Sequence, residues 1–351
     1  MGFISSITDA EIEVCENAPS FLQSCMWAEF KSRFGWTSRA FLVNWENYGN
    51  VPLLTLSRRF TAALGFSFTY IPWGPHLPAE FSAQDRGKIL SELAEKLKPL
   101  LGSNCIFIRF DPPWLTEKDE DACFTASSLK RAAAAVQAPD TVIVNLSSSR
   151  DEILSQMKPK GRYNILLSAK KDVQVRCTGA QELELFYNLL KETAARDGIA
   201  VHSFDYYKTL FEICADQGRN GKNIQIRLYT ASHENDTVAA IMVLFYGKYA
   251  VYLYGASSNI KRNLMAPHAL QWKAMQDGKE AGCLYYDLFG IPPNDDPNHP
   301  MYGLYRFKTG FGGQIIHRPG SWDYPYKKTF YALFNLAESL RKKMRDLKKK
   351  R

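Results

Sequence analysis

The residues whose types could do chemistry concentrate between Leu284 and Gly313, LYYDLFGIPPNDDPNHPMYGLYRFKTGFGG. A strand-like Tyr285-Tyr286-Asp287-Leu288 leads into a Gly/Pro turn and a polar loop. The compact block Tyr305-Arg306-Phe307-Lys308 follows, bounded by Gly310, Gly312 and Gly313. A lysine set among aromatics and glycines has two readings. In one it is a cation held in a shaped, partly dry site, meeting a phosphate, a carboxylate or a developing oxyanion. In the other it is a solvated residue on a short helix whose Phe and Tyr belong to the core.

Four further places carry chemical potential. Lys158, Lys160, Arg162, Lys170 and Lys171 surround a Pro-Gly break in a stretch poor in acids; they form either a solvated helix surface or a phosphate-binding rim. Tyr70-Ile71-Pro72-Trp73-Gly74-Pro75 is too rich in turn formers for a strand interior and fixes a rigid loop carrying aromatics. Asp111 sits just past a strand end, where it serves a turn or orients an amine. The segment from Arg341 to Arg351 holds eight cations and one acid, nearly all of the chain's net charge of +8. It is either a solvated helix end, where cations suit the helix dipole, or a contact for RNA phosphates or an anionic membrane surface.

Several function classes are missing their signatures. No nucleophile elbow, Walker A or dinucleotide fingerprint occurs. The seven cysteines form no CxxC and the six histidines no HxH or HxxxH, so neither a disulfide framework nor a metal site is expected. The N-terminal stretch has no basic, apolar leader pattern, and no run approaches the length of a membrane span; a cytoplasmic protein is expected. If coenzyme A were the donor, a helix N-terminus would carry a loop of the form [RQ]xxGx[GA]. Phe307–Gly312, FKTGFG, has the glycines but Phe where Arg or Gln belongs.

The elements that must position these residues follow from periodicity. Helices are expected over 20–34, 83–101, 180–196, 204–215 and 264–280, with a capping box at Ser149 and Glu152. Pro159-Lys160-Gly161 interrupts the helix that this capping box opens, and a second one starts at Arg162. Strands are expected over 39–47, 52–60, 67–71, 105–110, 173–177, 223–230, 237–246, 250–254 and 283–288. With 351 residues, two domains are the natural division. The order meander, helix, strand recurs in both halves. It predicts an α+β chain of two similar modules with a cleft between them: residues 1–147 with 317–351, and residues 148–316.

Seven motifs in fixed order then point to one family: FLQSCMWAEFKSRFGW (Phe21–Trp36), YIPWGP (Tyr70–Pro75), IRFDPPW (Ile108–Trp114), KPKGRYNI (Lys158–Ile165), YLYGASS (Tyr252–Ser258), YDLFGIPP (Tyr286–Pro293) and GLYRFKTGFGG (Gly303–Gly313). Along nearly its whole length the chain resembles the Fem-type peptidoglycan aminoacyltransferases, in a compact form without a coiled-coil arm. The resemblance implies two acetyltransferase-like (GNAT-like) domains, the first completed by the C-terminal segment, and no cofactor. The donor it implies is an aminoacyl-tRNA. The acceptor it implies is the side-chain amine of the third stem-peptide residue on a UDP-linked or lipid-linked muramyl precursor.

By the same resemblance, Lys31 matches a lysine that helps bind the precursor's diphosphate. Asp111 matches an acidic position near the acceptor peptide, and Tyr254 matches a substrate-lining tyrosine. Lys308, in the Phe307-Lys308 pair, matches the lysine that stabilises the reaction. Tyr70, Tyr206, Tyr207 and Phe307 join the expected substrate-binding set, and Asp111 joins Lys308 as an expected catalytic residue that holds or deprotonates the amine. One departure stands out: where relatives carry an Arg ahead of the Tyr-Tyr pair, this chain has His202 or Ser203. Two other readings stay open, an acyltransferase using another activated donor such as an acyl-CoA, and a non-catalytic protein associated with tRNA or membrane.

Overall fold

The computed structural model describes residues 2–60, 65–221 and 223–349. The last two residues of the basic C-terminal segment, 350 and 351, lie outside the described residues. The chain divides into two compact units, Met1–Pro139 with His317–Arg351, and Asp140–Ile316.

Along the first part of unit 1 run β1 (Ile4–Ala10), α1 (Cys25–Ser32), β2 (Thr37–Trp45), β3 (Gly49–Arg59), β4 (Ser67–Ile71), α2 (Arg86–Leu97), β5 (Cys105–Phe110), α3 (Glu120–Ala126) and β6 (Lys130–Arg131). Unit 2 follows with β7 (Asp140–Asn145), α4 (Arg150–Gln156), α5 (Pro159–Lys170), β8 (Gln174–Thr178), α6 (Leu183–Asp197), α7 (Phe204–Arg219) and β9 (Ile224–His233). It continues with β10 (Asp236–Tyr246), β11 (Tyr249–Ser257), α8 (Ala266–Glu280), β12 (Tyr285–Asp287), α9 (Tyr302–Thr309) and β13 (Gln314–His317). The chain then returns to unit 1 with β14 (Trp322–Pro325) and α10 (Lys328–Lys349). No helix among the described residues is long and apolar enough to cross a membrane.

Each unit is built on a seven-stranded sheet, ordered β1-β2-β3-β4-β5-β14-β6 in unit 1 and β13-β7-β12-β11-β10-β9-β8 in unit 2. Both follow one plan. Antiparallel strands form a meander, and a helix then crosses over to a parallel partner: α2 joins β4 to β5, and α8 joins β11 to β12. The next strand in each sheet comes from far away in sequence. It is β14 beside β5 and β7 beside β12, both antiparallel.

Apolar burial explains the layering. In unit 1, Ile89, Leu90, Leu93 and Leu97 of α2 join Ile108 and Phe110 of β5 in one core. Phe107 turns the other way, as strand alternation requires, and packs with Tyr331 and Phe334 of α10. In unit 2, Leu270, Ala274 and Met275 of α8 pack with Tyr229, Ile241, Val243 and Tyr286 of the sheet.

Three expectations need correction. Unit 2 begins at Asp140, not near Ser147, because β7 pairs with β12 and so belongs to its sheet. Pro159 does not interrupt a helix but opens α5 at its first position, where the missing N–H is no loss. The strands β1, β6, β7, β13 and β14 and the helix α3 have no counterpart among the expected elements. The capping box is present as read: Ser149 Oγ accepts from the Glu152 N–H at 3.2 Å, and Glu152 accepts from the Ser149 N–H at 2.7 Å.

Candidate functional site

In unit 2, the block Tyr305-Arg306-Phe307-Lys308 is the body of α9. Lys308 is not solvated: it is 6% exposed. Its Nζ donates to the carbonyl oxygens of Gly290, at 2.8 Å, and Phe289, at 3.2 Å, and lies 5.1 Å from the centre of the Tyr252 ring. The turn after β12 makes those acceptors available. Asp287 accepts from the Phe289 N–H at 2.8 Å and from Thr141 Oγ1. Phe289 takes the left-handed conformation, with φ 58°. Burial brings the Lys308 ammonium down to about 7, and the Asp287 carboxylate opposes the drop.

The glycines around α9 serve close approach. A Cβ on Gly312 would lie 2.6 Å from Gln156 O, and one on Gly313 would lie 2.5 Å from Ile143 O; both residues also have positive φ. A Cβ on Gly161 would lie 2.4 Å from Gly310 O, so the KPKG and FKTGFGG motifs meet backbone to backbone. There the Lys158 N–H donates to Gly310 O at 3.0 Å, and Lys158 Nζ donates to Thr309 Oγ1 at 3.2 Å. Arg162 is spent on the end of α4, donating to the carbonyls of Ser155 and Met157. Of the basic cluster, Lys158 and Lys160 stay exposed beside these glycines.

A bulge in β11 sorts its two tyrosines. Strict alternation would put Tyr252 and Tyr254 on one face. The register with β10 shifts between Met242↔Tyr254 and Val243↔Tyr252, which breaks the alternation. Tyr252 meets Lys308, whereas Tyr254 packs edge-on against Tyr207 of α7 at 5.0 Å. Tyr206 and Tyr254 share a hydrogen bond between their hydroxyls, and burial holds both phenols above their usual range. Tyr207, also desolvated, is pushed up to about 12. His202 stacks on Tyr206, with centroids 3.8 Å apart and an interplanar angle of 13°. The residue standing near the family's arginine position thus extends an aromatic cluster.

In unit 1, Lys31 lies in the last turn of α1, with its Nζ 5.4 Å from the Trp27 ring and 5.6 Å from the Trp36 ring. The Arg58 guanidinium lies 5.5 Å from that same Trp36 ring. Burial and then Arg58 lower the Lys31 ammonium to about 8. Trp36 also touches Tyr70, at 6.2 Å, and the Tyr70 hydroxyl donates to Asp111. Lys31, Trp36, Tyr70 and Asp111 therefore form one continuous row.

Asp111 is more enclosed than its sequence position suggested, at 3% exposure. It accepts from Tyr70, from Ser321 Oγ and from the Gln137 N–H at 3.3 Å. Its carboxyl is raised by burial against the pull of those bonds. The aromatic loop is held beside it: the Gly74 N–H donates to Asp111 O, and Gln23 Nε2 donates to Pro72 O at 2.7 Å. Sequence reasoning missed Trp36 and Arg58 as neighbours of Lys31, although Trp36 closes a quoted motif.

Two tandem acetyltransferase-like units, each with a buried polar centre next to its meander, define a fold of the tandem GNAT class. The structure is similar to a crystal structure of FemX, with a TM-score of 0.78 at 19% identity, covering 94% of this chain and all of that one. It also resembles a tandem GNAT protein from the clavulanic acid pathway, with a TM-score of 0.53 at 11% identity, over 91% and 97% of the two chains. The sequence model of the FemAB family matches residues 14–219 and 221–339, and the chain belongs to that family. Among curated relatives, the lipid II:glycine glycyltransferase of Staphylococcus saprophyticus is 23% identical, covering 94% of each chain. That of Staphylococcus aureus USA300 is 22% identical over 89% of each. The Fem-type resemblance read from the seven motifs holds.

Proposed function

We propose that this protein transfers an aminoacyl group from an aminoacyl-tRNA to the side-chain amine of the stem peptide of a lipid-linked muramyl precursor, building a cell-wall cross-bridge. The observation that carries the reading is the dry, carbonyl-held Lys308 with its ammonium near neutrality. Relatives named for action on lipid II favour the lipid-linked acceptor over the UDP-linked one. The FKTGFG sequence, lacking the Arg or Gln of a pyrophosphate loop, favours tRNA over coenzyme A.

In this mechanism a neutral amine attacks the ester carbonyl of the charged tRNA. A C–N bond forms, and the carbonyl becomes a tetrahedral oxyanion. The C–O bond to the 3′-terminal ribose then breaks, and the proton lost by nitrogen ends on the ribose hydroxyl. Lys308, once turned from its carbonyl partners, donates to the oxyanion. Tyr206, Tyr207, Tyr254 and Phe307 supply aromatic walls for substrate, the tyrosines with hydroxyl tips. Asp111 has its oxygens occupied by Tyr70, Ser321 and Gln137, which supports a positioning role through Tyr70 more than direct deprotonation of the amine.

Lys31, with Arg58 sharing the Trp36 ring, is suited to a diphosphate. Lys31→Ala is expected to raise KM for the precursor about tenfold or more with kcat little changed. A KM equal to wild type would remove Lys31 from the binding set. The reaction itself is tested with a pool of radiolabelled aminoacyl-tRNAs offered alongside UDP-linked and lipid-linked muramyl pentapeptides. Label on the lipid-linked precursor is the expected result. Transfer from an acyl-CoA panel instead, with tRNA charging verified, would overturn it.

A further inference from the structure

We infer that α10 is an interfacial helix that lays its outward apolar face on an anionic lipid bilayer. This deepens the reading of a lipid-linked acceptor and rests on it for its purpose, but its observations are separate. The two sides of α10 differ. Tyr331 and Phe334 anchor the helix to unit 1, with Phe334 5.0 Å from Phe107 and Tyr331 donating to Asp323 at 2.9 Å. Phe330 packs on Phe66, with ring centroids 4.4 Å apart. On the outside, Leu333, Leu336, Leu340 and Met344 are between 53% and 61% exposed.

Their spacing of three and four residues places these four side chains within about 80° of the helix circumference. Single exposed apolar residues need no explanation, but four in one stripe along a helix fixed to a folded unit do. The stripe runs into the segment of eight cations and one acid that carries most of the chain's charge.

That combination selects the occupant. An apolar stripe a few residues wide, joined to a strong cationic segment, matches the boundary between acyl chains and anionic headgroups, where the stripe sinks in and Lys and Arg stay at the phosphates. A nucleic acid would use the cations and leave the stripe in water. A second copy of this helix would bury the stripe but bring two strongly basic segments together. The consequence for the reaction is that unit 1 is held at the surface in which a lipid-linked acceptor is embedded.

The test uses the full chain and vesicles of equimolar phosphatidylglycerol and phosphatidylcholine. Wild type is expected to co-sediment with them. The triple variant Leu336→Ser, Leu340→Ser, Met344→Ser, which touches no core residue, is expected to lose about tenfold or more in partitioning. At about 1 M salt, where the Debye length is about 3 Å, wild type is expected to bind more weakly yet still better than the triple variant. Equal partitioning of the two proteins overturns the inference, as does binding abolished by salt alone. So does a wild-type dimer in sedimentation that the triple variant lacks. Vesicle binding is read without any transfer reaction. A protein that binds but transfers to no muramyl precursor thus fails the proposed function alone. One that transfers to detergent-dispersed precursor but ignores vesicles fails this inference alone.

Discussion

Lys308→Met is expected to lower kcat by about 10²–10³, the effect of removing one oxyanion donor, or roughly 3–4 kcal/mol of transition-state stabilisation. Methionine keeps the length and much of the volume of the lysine, so the packing against Tyr252 is retained. KM for either substrate is expected to change little, because the interaction is made in the transition state. A Met variant that kept kcat within about threefold while remaining folded would remove Lys308 from catalysis.

Two pH signatures accompany the loss. With the ammonium at about 7, the cationic fraction of Lys308 falls above neutrality, so an alkaline limb is expected in the wild-type rate profile. Lys308→Arg, whose guanidinium stays charged, is expected to move that limb upward if it retains activity. Stability carries the second signature. The folded protein sheds the Lys308 proton near pH 7, whereas the unfolded chain keeps it to the ordinary lysine value of 10.5. Between these values the unfolded state binds more protons, so stability rises with pH across the window. The wild type therefore gains on the Met variant by up to about 1.4 kcal/mol per pH unit from 7 toward 10.5. Parallel stability curves for the two proteins would show that the ammonium is not depressed.

Asp323→Ala is expected to be the most destabilising single change, costing about 3–5 kcal/mol. Asp323 is fully buried and receives two bonds from Arg109, at 2.6 and 2.8 Å, and one from Tyr331 at 2.9 Å. Truncation strips the buried Arg109 guanidinium of its hydrogen-bonded counter-charge and leaves it the electrostatic pull of Asp111. It also loosens β14, which pairs with β5 on one side and β6 on the other, and frees the start of α10. Urea unfolding followed by tryptophan fluorescence measures the cost. The double variant Arg109→Met, Asp323→Leu is expected to recover most of it, since an apolar pair needs no compensation. A single-variant cost under about 1 kcal/mol would mean that water reaches Arg109 and the pair is not structural.

What the sequence disclosed and what it hid divide along a physical line. β5 matches its expected bounds because six consecutive buried residues, CIFIRF, announce a central strand. The Ser149 capping box could be read because its partners are three residues apart. β14 is four residues long and ends in proline; only pairing with a strand some two hundred positions earlier makes it a strand. The site behaves the same way. Lys308 was visible as a cation among aromatics, but its carbonyl cage depends on the left-handed Phe289. The separation of Tyr252 from Tyr254 depends on a bulge set by β10. Trp36 gains its importance only when folding places Arg58 and Tyr70 beside it.

The return of the chain to unit 1 has a consequence for synthesis. Unit 2 is a continuous stretch and can close as soon as β13 leaves the ribosome. The sheet of unit 1 lacks its sixth strand until Trp322–Pro325 has emerged. At about 5–20 residues per second, the edge of β5 waits roughly ten to forty seconds for β14. During that interval it presents unpaired backbone groups and an apolar strand, the feature that invites strand addition from other chains. Nascent chains halted between unit 2 and β14 are therefore the species in which a chaperone would find its substrate. The order of maturation is the reverse of the usual one, with the second unit serving as a finished domain while the first is still open.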